Sequence, residues 1–122
     1  MSTQAQVFAV TGAKDGIGKS NFCLNLAIAL QKISNARTLV IDFDTENCGD
    51  IKNLAALTEI TSITELGDSL HKLDSQALAT RISKHSSGVS LIELYKRKNE
   101  LGSIDPQSID TFMNLVRQAY NY

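Results

Sequence analysis

The sequence predicts an α/β fold, a parallel sheet with helices on both faces. Three observations predict it. Two short apolar runs, "QVFAV" and "RTLVIDF", are separated by one helix-length amphipathic stretch. The first run ends in a glycine-rich turn. The second closes on aspartates. Strand, helix, strand in that order makes a right-handed βαβ unit with parallel strands. Strands apolar on both alternating faces fit a sheet covered on both sides.

Each element has its own signal. Gln6–Val10 is short, partly β-branched or aromatic, and reads as a buried strand. From Lys19 to Lys32 the residues Phe22, Cys23, Leu26, Ala27, Leu30 and Ile33 recur at three- and four-residue steps, as on one face of a helix. Arg37–Phe43 is the second strand. Asp50–Leu57, Ser62–Leu73 and Asp74–Ile82 read as short helices. Ser62 and Glu65 have capping-box spacing, and Asp74 suits an N-cap. Ser86–Gly88 is a turn and Val89–Tyr95 a third strand. "KRKNELGS" reads as a solvated charged connection. A last helix runs from Asp105 to Tyr120, with Pro106 in its first turn and Ile109, Phe112, Met113 and Val116 on one apolar face. A helix of this kind usually feeds another strand, and three strands make a thin sheet. The expectation is that residues 1–122 form only the N-terminal half of a larger domain.

Composition narrows the class. The chain has 122 residues, 43% hydrophobic and 20% charged, with a net charge of −1. These values suit one soluble globular unit and give no overall signal for nucleic acid or an anionic membrane. No apolar run approaches the roughly 18 residues of a membrane-spanning helix. The polar N-terminus does not read as a signal peptide. Cys23 and Cys48 have neither metal-ligand spacing nor disulfide-scaffold density, and free thiols in a cytoplasmic setting are the expectation. Cys23 falls on the apolar helix face and reads as core. His71 and His85 read as surface residues, and Tyr95, Tyr120 and Tyr122 as packing residues.

The chemistry is concentrated in "AKDGIGKS", Ala13 to Ser20. A loop between a strand and a helix N-terminus turns several backbone N–H groups into one concavity, which receives phosphate. Gly16 and Gly18 permit close approach and positive φ. Lys19 is placed to reach the β- and γ-phosphates of a nucleotide, and Ser20 to ligate Mg²⁺. The common pattern G-x-x-x-x-G-K-[ST] fails only at its first glycine, where Ala13 stands. The plain alternative is a glycine-rich turn with two solvated lysines. Asp42 and Asp44 close the second strand, and carboxylates there face the ligand crevice of a parallel sheet. They also fit a polar strand end that caps the next helix. Asn21 orders the loop or simply opens the helix.

These residues resemble the deviant Walker A motif, K-G-G-x-G-K-[ST], of the MinD/ParA ATPases, a P-loop NTPase family. The resemblance covers nearly all of the chain and implies only the first half of that family's domain. It accounts for Ala13 and for the extra lysine, Lys14. In that family this lysine reaches across a homodimer interface to the partner's nucleotide, so Lys14 and Asp44 become the implied catalytic residues. Lys19 becomes the phosphate lysine in cis. Ala13, Lys14, Asp15, Gly16, Ile17, Gly18, Lys19, Ser20 and Asn21 become the nucleotide loop, and Ser20 and Asp42 the Mg²⁺ shell. "LVIDFDTENCGDI" resembles the family's segment after its second strand. The order of the remaining elements resembles the CpaE/TadZ branch, which helps to place pilus-assembly machinery at a cell pole. The implied activity is weak ATP hydrolysis that gates a dimer, with protein partners from a localisation or secretion system. Asp15 departs from the pattern, replacing the first glycine of K-G-G. A carboxylate facing inward about 4 Å from a phosphate charge costs a few kcal/mol at intermediate dielectric. That departure favours a second reading, a non-hydrolysing nucleotide-binding scaffold. A small-molecule kinase shares the phosphate loop, but Lys14 and the Asp42/Asp44 pair argue against it.

Overall fold

The structure, a computed structural model, describes residues 4–11, 18–43, 50–95 and 105–122. The glycine-rich loop from 12 to 17, Asp44, Cys48 and the charged "KRKNELGS" connection lie outside the described residues.

Helix α1 spans Lys19–Ser34, and strand β1 spans Leu39–Asp42. Helix α2 (Asp50–Leu54) and helix α3 (Ile63–Leu66) follow, the latter running into a 3₁₀ turn, Gly67–Lys72. Then come α4 (Ser75–Arg81), β2 (Ser83–Lys84), β3 (Ser90–Glu93) and α5 (Pro106–Ala119). The sheet order is β1-β3-β2. β1 and β3 are parallel, with Leu39 opposite Ser90 and Asp42 opposite Glu93.

Three helix starts carry side-chain caps, two of them, at Ser62 and Asp74, expected from the sequence. The Ser62 hydroxyl accepts from the Glu65 N–H at 3.3 Å. The Asp74 carboxylate accepts from Ala77 at 2.7 Å, and that of Asp105 from Gln107 at 3.1 Å. Each cap satisfies an amide that the helix itself leaves unpaired.

The sheet separates two apolar cores. On β3, alternate residues point opposite ways. Ile92 joins Leu66, Leu70, Leu78, Phe112 and Val116, while Val89 and Leu91 join Leu24, Ala27, Val40, Ile51 and Ile60. Helices therefore cover both faces, as expected. All four residues of β3 are buried, as befits a strand between two layers.

Three expectations need correction. The sheet is mixed: β2 pairs antiparallel with β3, Ser83 opposite Leu91. The Ser86–Gly88 turn produces this hairpin, with Gly88 at φ 97° and His85 and Val89 bonded across it at 2.8 Å. The expected first strand, Gln6–Val10, joins no ladder. A strand needs a partner along its length, and here Asn121 reaches only Gln6. The face assigned to α1 is also displaced. Successive residues step by about 100° round a helix, and the buried stripe centres on Leu24 and Ala27. Phe22 and Ile33 fall on the far flank and are 60% and 85% exposed.

Candidate nucleotide site

The described part of the candidate site begins at Gly18. Its φ of 83° lies in the left-handed region, where a Cβ is strained. Nothing lies within 4 Å of a Cβ built there, so the backbone angle alone demands glycine. The Gly18 carbonyl accepts the first helical bond, from the Phe22 N–H at 2.9 Å. Unlike α3, α4 and α5, α1 has no side-chain cap at its start and no acidic residue in its first turn. Its leading amides and its positive dipole end are thus left to whatever lies beyond the N-terminus.

Lys19 and Ser20 follow directly and line a cleft of about 590 Å³. Asp42 and Phe43, at the C-terminal end of β1, line the same cleft, as do Val10 and Thr11. Lys19 and Ser20 thus share the lining of one cleft with Asp42, which stands more than twenty residues further along the chain. Asn21 is exposed, and its side-chain carbonyl accepts from the Asn25 amide at 3.2 Å. Ala13, Lys14, Asp15, Gly16, Ile17 and Asp44 lie outside the described residues.

Cys23, one turn into α1, also lines the cleft and is half-buried. Burial pushes its thiol above the ordinary value, and the charge of Asp42 pushes it the same way. Periodicity marked Cys23 as core; its place beside Asp42 depends on the strand that α1 crosses, which no local pattern records. His71 is exposed. The His85 Nδ1 accepts from the Ser87 N–H at 3.0 Å within the hairpin turn. Among the described residues no group of three or more His, Cys, Asp or Glu is placed to hold a metal ion, and no helix is long and apolar enough to cross a membrane.

Residues 8–119 match the family model described as the CobQ/CobB/MinD/ParA nucleotide binding domain. The chain belongs to this family. Comparison with curated proteins gives no significant match. Among solved structures the chain is similar to a ParA family ATPase from Chlorobium tepidum TLS, at 21% identity and a TM-score of 0.81. The similarity covers 99% of this chain and 49% of that one, so the chain spans about half the length of its structural relative. At this identity the likeness establishes the fold, that of a ParA-like P-loop NTPase.

Proposed function

We propose that the chain is the N-terminal part of an ATP-binding domain of the MinD/ParA type. Mg·ATP binds at the loop Ala13 to Asn21, and an ATP-gated homodimer positions other cellular machinery in the cytoplasm. The observation that carries the reading is the start of α1. A left-handed Gly18 opens an uncapped helix, and Lys19, Ser20 and Asp42 border one cleft beside it. A helix N-terminus without a side-chain cap, opening on a lysine, suits a polyphosphate. Ser20 and Asp42 are the residues that would hold Mg²⁺ beside the nucleotide's phosphates. Mg²⁺ held there would supply positive charge to offset that of the nucleotide's phosphates. Lys14 supplies further positive charge from a partner subunit, and Asp44 orients the attacking water, giving slow hydrolysis. By the order of its elements the chain sits nearest the CpaE/TadZ branch, with pilus-assembly proteins as the positioned partners.

Asp15 supports a second reading, a nucleotide-binding localisation adaptor without turnover. It stands where the family motif has glycine, and a carboxylate turned toward the nucleotide would oppose the polyphosphate charge.

A thermal-shift titration tests the first step. Mg·ATP at about 100 times its Kd stabilises the native state by about 2.7 kcal/mol. The expected result is a shift with Mg·ATP that disappears in Lys19→Ala. No shift in the original chain together with a shift in Asp15→Gly would favour an aspartate that silences the site. No shift in either would overturn nucleotide binding by this chain. Hydrolysis that is lost in Asp44→Ala separates the enzyme from the adaptor.

A further inference from the structure

A second cavity, of about 400 Å³, opens at the other end of the sheet. Thr38 and Ser90, at the starts of β1 and β3, line it and are buried. Asp42 stands four residues further along β1 than Thr38, about 13 Å at the ordinary rise of a strand. The cavity therefore lies apart from the candidate nucleotide site. Its other walls come from the end of α1, from α4, from the β2–β3 hairpin and from Tyr120, just after α5.

Two side chains in these walls carry buried polar atoms without partners. A Cβ at Gly88 would collide with the Gln31 amide nitrogen. Glycine thus lets that amide lie against the hairpin, where its Nε2 donates to the Ser87 carbonyl at 2.9 Å. The bond fixes which end of the amide is which, since only the nitrogen can donate. Oε1 is left buried, with no donor among the described residues. The Tyr120 hydroxyl is likewise buried without a partner among them. Burial raises the pKa of this phenol; the Ser90 side chain and the Arg37 charge act the other way, Ser90 without reaching hydrogen-bonding geometry. Buried polar groups are nearly always paired. An orphan acceptor and an orphan hydroxyl in one cavity suit a ligand that donates to the first and accepts from the second. The charge at the opening has one sign. Arg37 and Lys84 line the cavity and are exposed, and no acidic side chain lines it among the described residues. The Arg37 guanidinium lies 5.6 Å from the centroid of the Tyr120 ring, a cation–π contact that holds it beside the phenol. Water can serve either buried atom singly. A dianion also offsets the two like charges, which water cannot do.

We propose that this cavity binds a small phosphate monoester that carries a hydroxyl. Its phosphate, close to doubly charged at neutral pH, lies between Arg37 and Lys84 and accepts from the Tyr120 hydroxyl. Its own hydroxyl donates to Gln31 Oε1. The inference needs no nucleotide at the far end of β1 and stands apart from the proposed function.

Glycerol 3-phosphate is the probe, with inorganic phosphate and glycerol as its two halves, and backbone amide NMR shifts report where each binds. Lys19→Ala serves as the parent, so that phosphate taken up beside α1 does not obscure the result. The expected result is a saturable shift of the Thr38, Gly88 and Ser90 amides with glycerol 3-phosphate. Inorganic phosphate should bind there more weakly, and glycerol at the same concentration should give no shift. Arg37→Gln and Lys84→Gln should each weaken binding by about tenfold, the size of a charge-assisted hydrogen bond. Added salt should weaken it as well. Tyr120→Phe should weaken binding roughly fivefold while its urea midpoint stays at or above that of the parent, because the hydroxyl it removes is unpaired. A tyrosine with a purely structural role would lose stability and leave affinity unchanged, and that result would overturn the proposal. So would shifts that are absent from these amides or confined to Gly18–Ser20, or glycerol acting as strongly as its phosphate. Inorganic phosphate binding as tightly as glycerol 3-phosphate would overturn it too, since Gln31 would then contribute nothing.

Discussion

Helix α5 begins with Asp105 accepting from Gln107 and Pro106 in its first turn, and it buries Phe112 completely. Helix α1 begins with a left-handed glycine and no cap, and it leaves Phe22 and Ile33 to solvent. The two pack on opposite faces of one sheet. α5 caps its own start and buries Phe112, Val116 and Ala119 in the core, although Met113 and Val116 also border the cleft. α1 has no side-chain cap at its start and turns part of its apolar surface to a cleft. Local stability is relinquished at the place where the sequence puts its phosphate chemistry.

The sharpest way to break this contrast is to remove the α5 anchor. Phe112 is 0% exposed and meets the helical layer below β3. Phe112→Ala should cost about 3–5 kcal/mol through lost burial and a residual cavity. The urea midpoint measures it, and a loss below about 1 kcal/mol would mean that the α5 core is not closely packed. Gly18 comes next. Alanine has room there but not the backbone angle, so Gly18→Ala should cost about 1–2 kcal/mol from left-handed strain. Gly18→Asn should cost less, because asparagine tolerates that region. Equal stability of all three proteins would show that the left-handed start of α1 is not held in solution.

What could be read from the sequence follows the same division. α5 was legible almost to the residue, because Asp105, Pro106 and the spacing of Ile109, Phe112, Met113 and Val116 are local signals that tertiary packing did not override. The caps at Ser62 and Asp74 were legible for the same reason. β2 was missed because two residues carry no period; only the turn after them hinted at a hairpin. The α1 face was misplaced because apolar residues occupy more than half of that helix's circumference. Periodicity cannot say which part meets the core and which a cleft. Within the candidate site, the positive φ of Gly18 was readable from the motif. That Lys19, Ser20 and Asp42 line one cleft follows from the strand–helix order rather than from spacing, and the nearness of Asp42 to Cys23 left no sequence trace.

A smaller effect separates the two helix starts. Asp105→Ala removes the carboxylate that accepts from Gln107 and should lower stability by about 1 kcal/mol. Asp74→Ala should do much the same at α4. Neither should alter nucleotide binding, since both caps belong to helices outside the cleft's phosphate end. A change in the Mg·ATP thermal shift in either variant would break the assignment of caps to stability and of the uncapped α1 start to ligand.

The smallest effect concerns Cys23, where α1 turns from core to cleft. Its thiol is raised in the folded chain by burial first and by the Asp42 charge second. An unfolded thiol ionises near pH 8.5. As pH rises through that value the unfolded chain loses its proton while the folded chain still holds one. The folded state then binds more protons, so stability falls with rising pH. The contribution is fully present below about pH 8.5 and is lost as pH climbs through the raised folded value. Cys23→Ala should therefore lose less stability between pH 8 and pH 10 than the original chain, as read from urea midpoints at each pH. Asp42→Asn should recover only part of that difference, because burial is the larger cause. Parallel decline in the original chain and in Cys23→Ala would mean that the thiol is solvated in both states. The cleft beside α1 would then be wetter than its apolar lining implies.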